Sequence, residues 1–128
     1  MVQTAIVILN WNGQHYLEKF LPVLVRRSNL PGVSIVVADN GSDDDSVEWL
    51  RHHFPKVQII SLDKNYGFTG GYNRALRQVE ADYYILLNSD VEVSENWLQP
   101  LIDNMESRPE AGVCMPKIRS HYRRSAFE

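Results

Sequence analysis

A doubly wound, mainly parallel α/β sheet of Rossmann-like type, with helices on both faces, is the fold this sequence predicts. Short apolar, β-branched runs alternate strictly with segments of helical periodicity, and the connections between them are short. Three of the apolar runs also end abruptly in amides and carboxylates: Ile8-Leu9-Asn10-Trp11-Asn12, Val36-Val37-Ala38-Asp39-Asn40-Gly41 and Leu86-Leu87-Asn88-Ser89-Asp90. Open α/β sheets bind ligands beyond the carboxyl ends of their strands, so three such ends in one sheet predict one composite site.

Thr4 to Leu9 is apolar without alternation, as expected of a strand covered on both faces. Asn12 is placed to cap the next segment, where Tyr16, Leu17, Phe20, Leu21 and Leu24 recur at helical spacing, giving a helix over about Gly13 to Val25. Pro31-Gly32 ends that unit, and Val33 to Ala38 is the second strand. The polar stretch Asp39 to Asp45 leads into a helix with Val47, Leu50 and Phe54 inward, stopped by Pro55. Val57 to Leu62 is the third strand. Asn65 to Gly71 then reads as a glycine-bearing loop before a helix carrying Tyr72, Ala75, Leu76 and Val79. Tyr83 to Leu87 is the fourth strand, Ser94 caps a helix with Trp97, Leu98, Leu101, Ile102 and Met105 inward, and Val113 to Met115 is a short last strand. Residues 1–116 thus form one unit. Residues 117–128 lose periodicity, carry Lys117, Arg119, Arg123 and Arg124, and are expected to find no anchor in this chain.

The 128 residues, 44% of them hydrophobic, suffice for one core. A formal net charge of -3 argues against a nucleic-acid partner, which calls for a basic surface. The single cysteine, Cys114, excludes an intrachain disulfide and a cysteine-rich zinc site; it suits a reducing compartment and a core position. Ala5 to Leu9 is too short to span a bilayer and no basic segment precedes it, so neither a membrane span nor a signal peptide is expected and the chain reads as cytoplasmic.

Asp39 stands where a carboxylate can accept hydrogen bonds from a base imide or ribose hydroxyl, the reading its place at the ligand edge favours over closing its own loop in an Asx turn with Gly41 or Ser42. Asp43-Asp44-Asp45 is more simply explained by acids favoured in the first turn of a helix than by a metal or sugar contact. Asn65-Tyr66-Gly67-Phe68-Thr69-Gly70-Gly71-Tyr72-Asn73 holds three glycines in a strand-to-helix connection. Such a loop permits close backbone approach to a phosphate or sugar, or tight packing of helix on sheet, and matches neither GxGxxG nor a Walker A motif. Asn88 and Asp90, two residues apart in extended chain, can face one side as oxygen ligands, which favours Mg²⁺ or Mn²⁺ over zinc. At an effective dielectric of ~20, each unit-charge pair near 4 Å is worth about 4 kcal/mol, so a divalent ion between Asp90 and a diphosphate is a large term. His15, His52, His53 and His121 show no metal spacing, and Trp11, Tyr66 and Tyr72 are either stacking surfaces or core-edge aromatics.

Taken together, Val7-Ile8-Leu9-Asn10-Trp11-Asn12-Gly13, Val37-Ala38-Asp39-Asn40-Gly41-Ser42, the 65–73 loop and Leu86-Leu87-Asn88-Ser89-Asp90-Val91 resemble the inverting family 2 glycosyltransferases of the GT-A fold, in their rhamnosyltransferase-like branch. The resemblance covers about Thr4 to Pro116. It implies the nucleotide-sugar-binding half of an enzyme that moves a sugar from a nucleoside-diphosphate sugar to a hydroxyl of a glycan or lipid-linked acceptor, with inversion, in polysaccharide or glycolipid assembly. It further implies base and ribose contacts from Asn10, Asn12 and Asp39, donor contacts from Asn65, Gly67, Gly70, Gly71, Asn73 and Asn88, and Mg²⁺ or Mn²⁺ on Asp90. The ion would neutralise the departing diphosphate.

Two departures accompany the resemblance. Asn88 replaces the first aspartate of the family's DxD, removing one charge from the metal position, and nothing after Pro116 resembles the acceptor-binding half that supplies the general base. No catalytic residue is therefore assigned within the chain, and the base is expected beyond Glu128. The expectation is a donor-binding fragment without transferase activity of its own, peripheral to the inner membrane at most, with apolar surface that promotes self-association. A non-catalytic nucleotide-binding module and a receiver-type phosphoacceptor domain are the alternatives on the same class of sheet.

Overall fold

The uninterrupted apolar run at the start of the chain becomes β1 (Thr4–Asn10), which lies inside the sheet with parallel neighbours on both edges. The computed structural model describes residues 1–121. After β1 come α1 (Gln14–Arg27), β2 (Val33–Asp39), α2 (Ser46–His53), β3 (Gln58–Ser61), α3 (Gly67–Leu76), β4 (Tyr83–Asn88) and α4 (Leu98–Ser107). The strands are all parallel, in the order β3-β2-β1-β4. Successive strands step outward from β1 to β3, and the chain then crosses back to place β4 on the other side of β1. That reversal is the topological switch point of a doubly wound sheet. A receiver-type domain would place β1 between β2 and β3, so the strand order overturns that alternative.

Alternation along β1 divides the interior in two. Ile6 and Ile8 join Val37 in a core closed by Leu17, Leu21 and Leu24 of α1, Leu50 of α2 and Leu98 of α4. Ala5 and Val7 join Val36, Ala38 and Ile60 beneath Tyr72 and Ala75 of α3 and Val79. Helices therefore cover both faces, as expected. Helix α1 runs through Pro22 although proline removes a backbone donor, because its buried side, Leu17, Phe20, Leu21 and Leu24, flanks the proline.

Several local expectations are corrected. Val113 to Met115 forms no strand, and Val113 and Met115 are 86% and 77% exposed: with no strand beside it, so short a run has neither a ladder nor a face to bury. Ser94 caps nothing, since Asn96 takes a left-handed φ of 52° that breaks helical geometry, and α4 starts only at Leu98. Asn12 does not cap α1 either; the Gly13 carbonyl accepts the first helical bonds from the Tyr16 and Leu17 N–H groups. Helix α3 begins at Gly67 instead of after Gly71. Cys114 is half-buried, outside the core. The start of the final stretch is anchored after all, through His121, which lies 3.3 Å from the Glu92 carboxylate and edge-on to Phe20. Arg123, Arg124 and Glu128, the residue beyond which the general base is expected, lie outside the described residues.

Candidate functional site

In register, Asn10 stands opposite Asp39, Leu9 opposite Asn88 and Asp39 opposite Ser61, so the polar residues that end β1, β2 and β4 form one row at the carboxyl edge. Asp39 and Asn10 are both buried there. Asn10 Nδ2 donates to Asp39 Oδ1 at 3.0 Å, the Ser42 hydroxyl donates to the same oxygen at 2.7 Å, and the Ser42 N–H donates to Asp39 Oδ2 at 2.9 Å. Asp39 thus closes an Asx turn with Ser42, the second of the two roles the sequence allows it. Ser42 Oγ also accepts from the Asn12 N–H at 2.9 Å. Asn12, at φ 50°, turns its Oδ1 to the N–H groups of Asp43 and Asp44, at 2.7 and 3.3 Å. The β1–α1 and β2–α2 loops are stitched into one rigid lip.

Asp44 completes that lip; the acidic run precedes α2, whose first turn carries Glu48 alone, so the expectation of first-turn acids is corrected. Burial opposes its charge, but bonds from the Ser46 hydroxyl and N–H and from the Gln14 N–H outweigh it and hold the carboxyl below its ordinary value.

On the other side of β2, Asn40 holds the start of α3. Its Oδ1 accepts from the Tyr66 N–H at 3.0 Å, and its Nδ2 donates to Asn65 Oδ1 at 3.1 Å and to the Gly67 carbonyl at 3.0 Å. Asn65 Oδ1 accepts the Gly67 N–H as well, at 2.7 Å, and Gly67 takes φ +76°, which a side chain disfavours. Of the residues assigned to ligand contact, Asn65 and Gly67 are thus tied into the loop itself. Gly71 serves close packing: a Cβ there would lie 2.8 Å from Leu9 Cδ1 and 2.9 Å from Asn40 Nδ2. Gly70 is half-buried in the first turns of α3, beside Tyr66. Asn73 is exposed, off the buried side formed by Gly71, Tyr72 and Ala75.

At the end of β4, Asn88 and Asp90 are exposed and Ser89 is half-buried between them. Tyr72 reaches across to donate its hydroxyl to the Leu87 carbonyl at 3.2 Å, and burial pushes that phenol up. The described residues contain no cluster of three or more histidine, cysteine or acidic side chains able to cage a metal. Two exposed oxygen donors can still share an ion whose other positions are filled by phosphate and water, the usual manner of Mg²⁺. Trp11 is 52% exposed at the same edge, so it is a free aromatic face and not core edge. Tyr66 is covered by the Arg74 guanidinium, 3.6 Å from its ring centroid.

Sequence reasoning passed over Asn40 and Ser42 as functional positions. The signal was available in the polar pair at the end of β2: consecutive residues of a strand face opposite ways, so Asp39 and Asn40 had to serve two different neighbours.

Fold and edge together define a doubly wound α/β domain with the polar ends of β1, β2 and β4 gathered at its switch point. Residues 5–125 match the family model for glycosyl transferase family 2, and the chain belongs to that family. Among curated proteins it is 28% identical over 125 residues to N-acetylglucosaminyl-diphospho-decaprenol L-rhamnosyltransferase of Mycobacterium tuberculosis, covering 89% of this chain and 40% of that protein. It is 24% identical over 98 residues to the teichoic acid poly(glycerol phosphate) polymerase of Staphylococcus epidermidis, covering 73% of this chain and 14% of the polymerase. Among solved structures, S. aureus TarS 1-349 in complex with UDP-GlcNAc superimposes with a TM-score of 0.73 at 18% identity, over 92% of this chain and 38% of that one. The chain therefore spans well under half the length of each of these relatives.

Proposed function

We propose that this chain is the donor-binding part of a nucleotide-sugar glycosyltransferase, which in the full-length enzyme transfers a sugar from a nucleoside-diphosphate sugar to an acceptor hydroxyl with inversion. The observation that carries this reading is the convergence of the β1, β2 and β4 ends at the switch point, with Asn10 opposite Asp39 and Leu9 opposite Asn88. Trp11 offers an aromatic face for the base, beside the lip that Asn12, Asp39 and Ser42 hold rigid for the ribose. Asp90 and Asn88 would hold Mg²⁺ or Mn²⁺, which supplies charge neutralisation for the departing diphosphate. The ligand set is weak in charge, so most of the ion's coordination falls to the diphosphate.

The general base is assigned beyond Glu128, outside this chain, in keeping with a chain that spans 40% of the mycobacterial relative. Residues 1–116 are then the donor-binding subdomain, and the isolated chain binds donor without transferring it. The UDP-GlcNAc complex and the diphospho-decaprenol in the mycobacterial relative's name support a uridine nucleotide and a lipid-linked acceptor, and polysaccharide assembly is the proposed setting. Such an acceptor suits a cytoplasmic enzyme working at the inner membrane; no helix among the described residues is long and apolar enough to cross one.

Calorimetric titration of the chain with UDP, dTDP and GDP, with and without Mn²⁺, tests the reading. Metal-dependent binding of one nucleotide, weakened in both Asp39→Ala and Asp90→Ala, is the expected result. Failure of all of them to bind would overturn it.

A further inference from the structure

Asn40 is 3% exposed, and every polar atom of its side chain is used on three consecutive residues of another element's start, Asn65, Tyr66 and Gly67. Its own N–H donates to the Asn10 carbonyl at 2.7 Å, so one residue ties the end of β1 to the end of β2 and to the start of α3. The surroundings leave this clasp little slack. Gly41, next in the chain, takes φ +75°, and a Cβ on it would lie 2.6 Å from the Lys64 carbonyl carbon. A Cβ on Gly71 would lie 2.9 Å from Asn40 Nδ2.

The clasp is not what docks α3 on the sheet. Tyr72, Ala75 and Val79 do that, buried against Ala5, Val7, Val36 and Ala38 well beyond the first turn. What the Asn40 bonds add is the direction of that first turn, at the carboxyl edge where β1 and β2 end. Asn10 and Asp39 meet on the other side of the same strand ends. The edge is thus assembled from two halves that meet at Asp39 and Asn40, consecutive residues at the end of β2.

We infer that Asn40 is a positioning residue for the nucleoside-diphosphate donor: without touching it, its amide fixes the 65–67 turn against the strand ends so that the two halves of the edge present one preformed surface. This rests on the donor-binding reading above. A preformed site spares the ligand the cost of ordering the loop, so loosening the turn lowers affinity even where the fold survives.

The substitution Asn40→Asp keeps shape and the acceptor for Tyr66 but cannot donate to Asn65 or Gly67; Asn40→Ala removes all three bonds. Nucleotide affinity is measured by calorimetry with UDP, dTDP and GDP in Mn²⁺, and amide hydrogen exchange is followed in parallel. In N40D we expect faster exchange at Gly67, in N40A at Tyr66 as well, with unchanged protection in β1 and affinity lower by about tenfold or more. Paired with Asn65→Ala, the loss in affinity is expected to be less than the sum of the single losses, because both changes open the same clasp.

Affinity of N40D and N40A within about twofold of the unsubstituted chain, or strict additivity with Asn65→Ala, overturns the positioning role. Unchanged exchange at Tyr66 and Gly67 overturns the clasp itself. If the unsubstituted chain binds no nucleotide, the donor-binding reading falls first and this role falls with it, whatever the exchange shows.

Discussion

Asn10 donates its side-chain amide to the Asp39 carboxylate at 3.0 Å across the paired ends of β1 and β2. Both residues are buried, and Asn10 Oδ1 has no hydrogen-bond partner among the described residues. A carboxylate out of water depends on its donors.

Asn10→Ala leaves Asp39 with only the two Ser42 donors and is expected to destabilise the fold by about 1–3 kcal/mol, the usual cost of an unmet buried polar group. Urea denaturation gives the value directly. A change below a few tenths of a kcal/mol would mean that Ser42 alone satisfies the carboxylate.

Thr4 presents the opposite case. It is buried at the start of β1 and its Oγ1 has no partner among the described residues. Thr4→Val replaces that hydroxyl by a methyl of similar shape and is expected to raise stability by about 1 kcal/mol, read as a higher urea midpoint at unchanged m-value. A lower midpoint would show that the hydroxyl is satisfied in solution.

Asp44 gives the lip a pH dependence of definite sign. Its folded carboxyl titrates below the ordinary value of 3.8, so its contribution is complete above 3.8 and is lost as pH falls through the folded value. The stability difference between the chain and Asp44→Asn should therefore hold steady near neutrality and shrink in acid below 3.8. A difference that grows on acidification would contradict the bonds from Ser46 and Gln14.

The self-association expected of the chain is predicted to use one face of β4. Tyr84, Leu86 and Asn88 share one face of β4, where Leu86 is 53% exposed, and β4 is the end strand of the sheet among the described residues. Leu86→Glu is expected to shift sedimentation toward monomer at concentrations where the unsubstituted chain associates, with the fold intact. Concentration-independent monomer for the unsubstituted chain would remove the idea.

Much of this architecture is legible in the chain because the signals are periodic. The unbroken run Thr4 to Leu9 can only be a strand covered on both sides, and Leu17, Leu21 and Leu24 mark one helical stripe; both are found where their pattern requires. Asn10, Asp39 and Asn88 fall at the carboxyl edge because strand ends in a parallel sheet share one edge by construction.

Only tertiary structure decides what those polar residues do. Whether Asp39 awaits a ligand or closes an Asx turn depends on Ser42 and on Asn10, 29 positions earlier in the chain, which no local pattern connects to it. The glycines of 67–71 serve the left-handed start of α3 and its contact with Leu9 and Asn40, a matter of distance between elements. Local sequence thus determines which residues form strands and helices and which polar groups reach the edge. Hydrogen bonds between loops remote in sequence decide which of those groups are spent holding the edge together and which, such as Asp90 and Trp11, remain exposed at it.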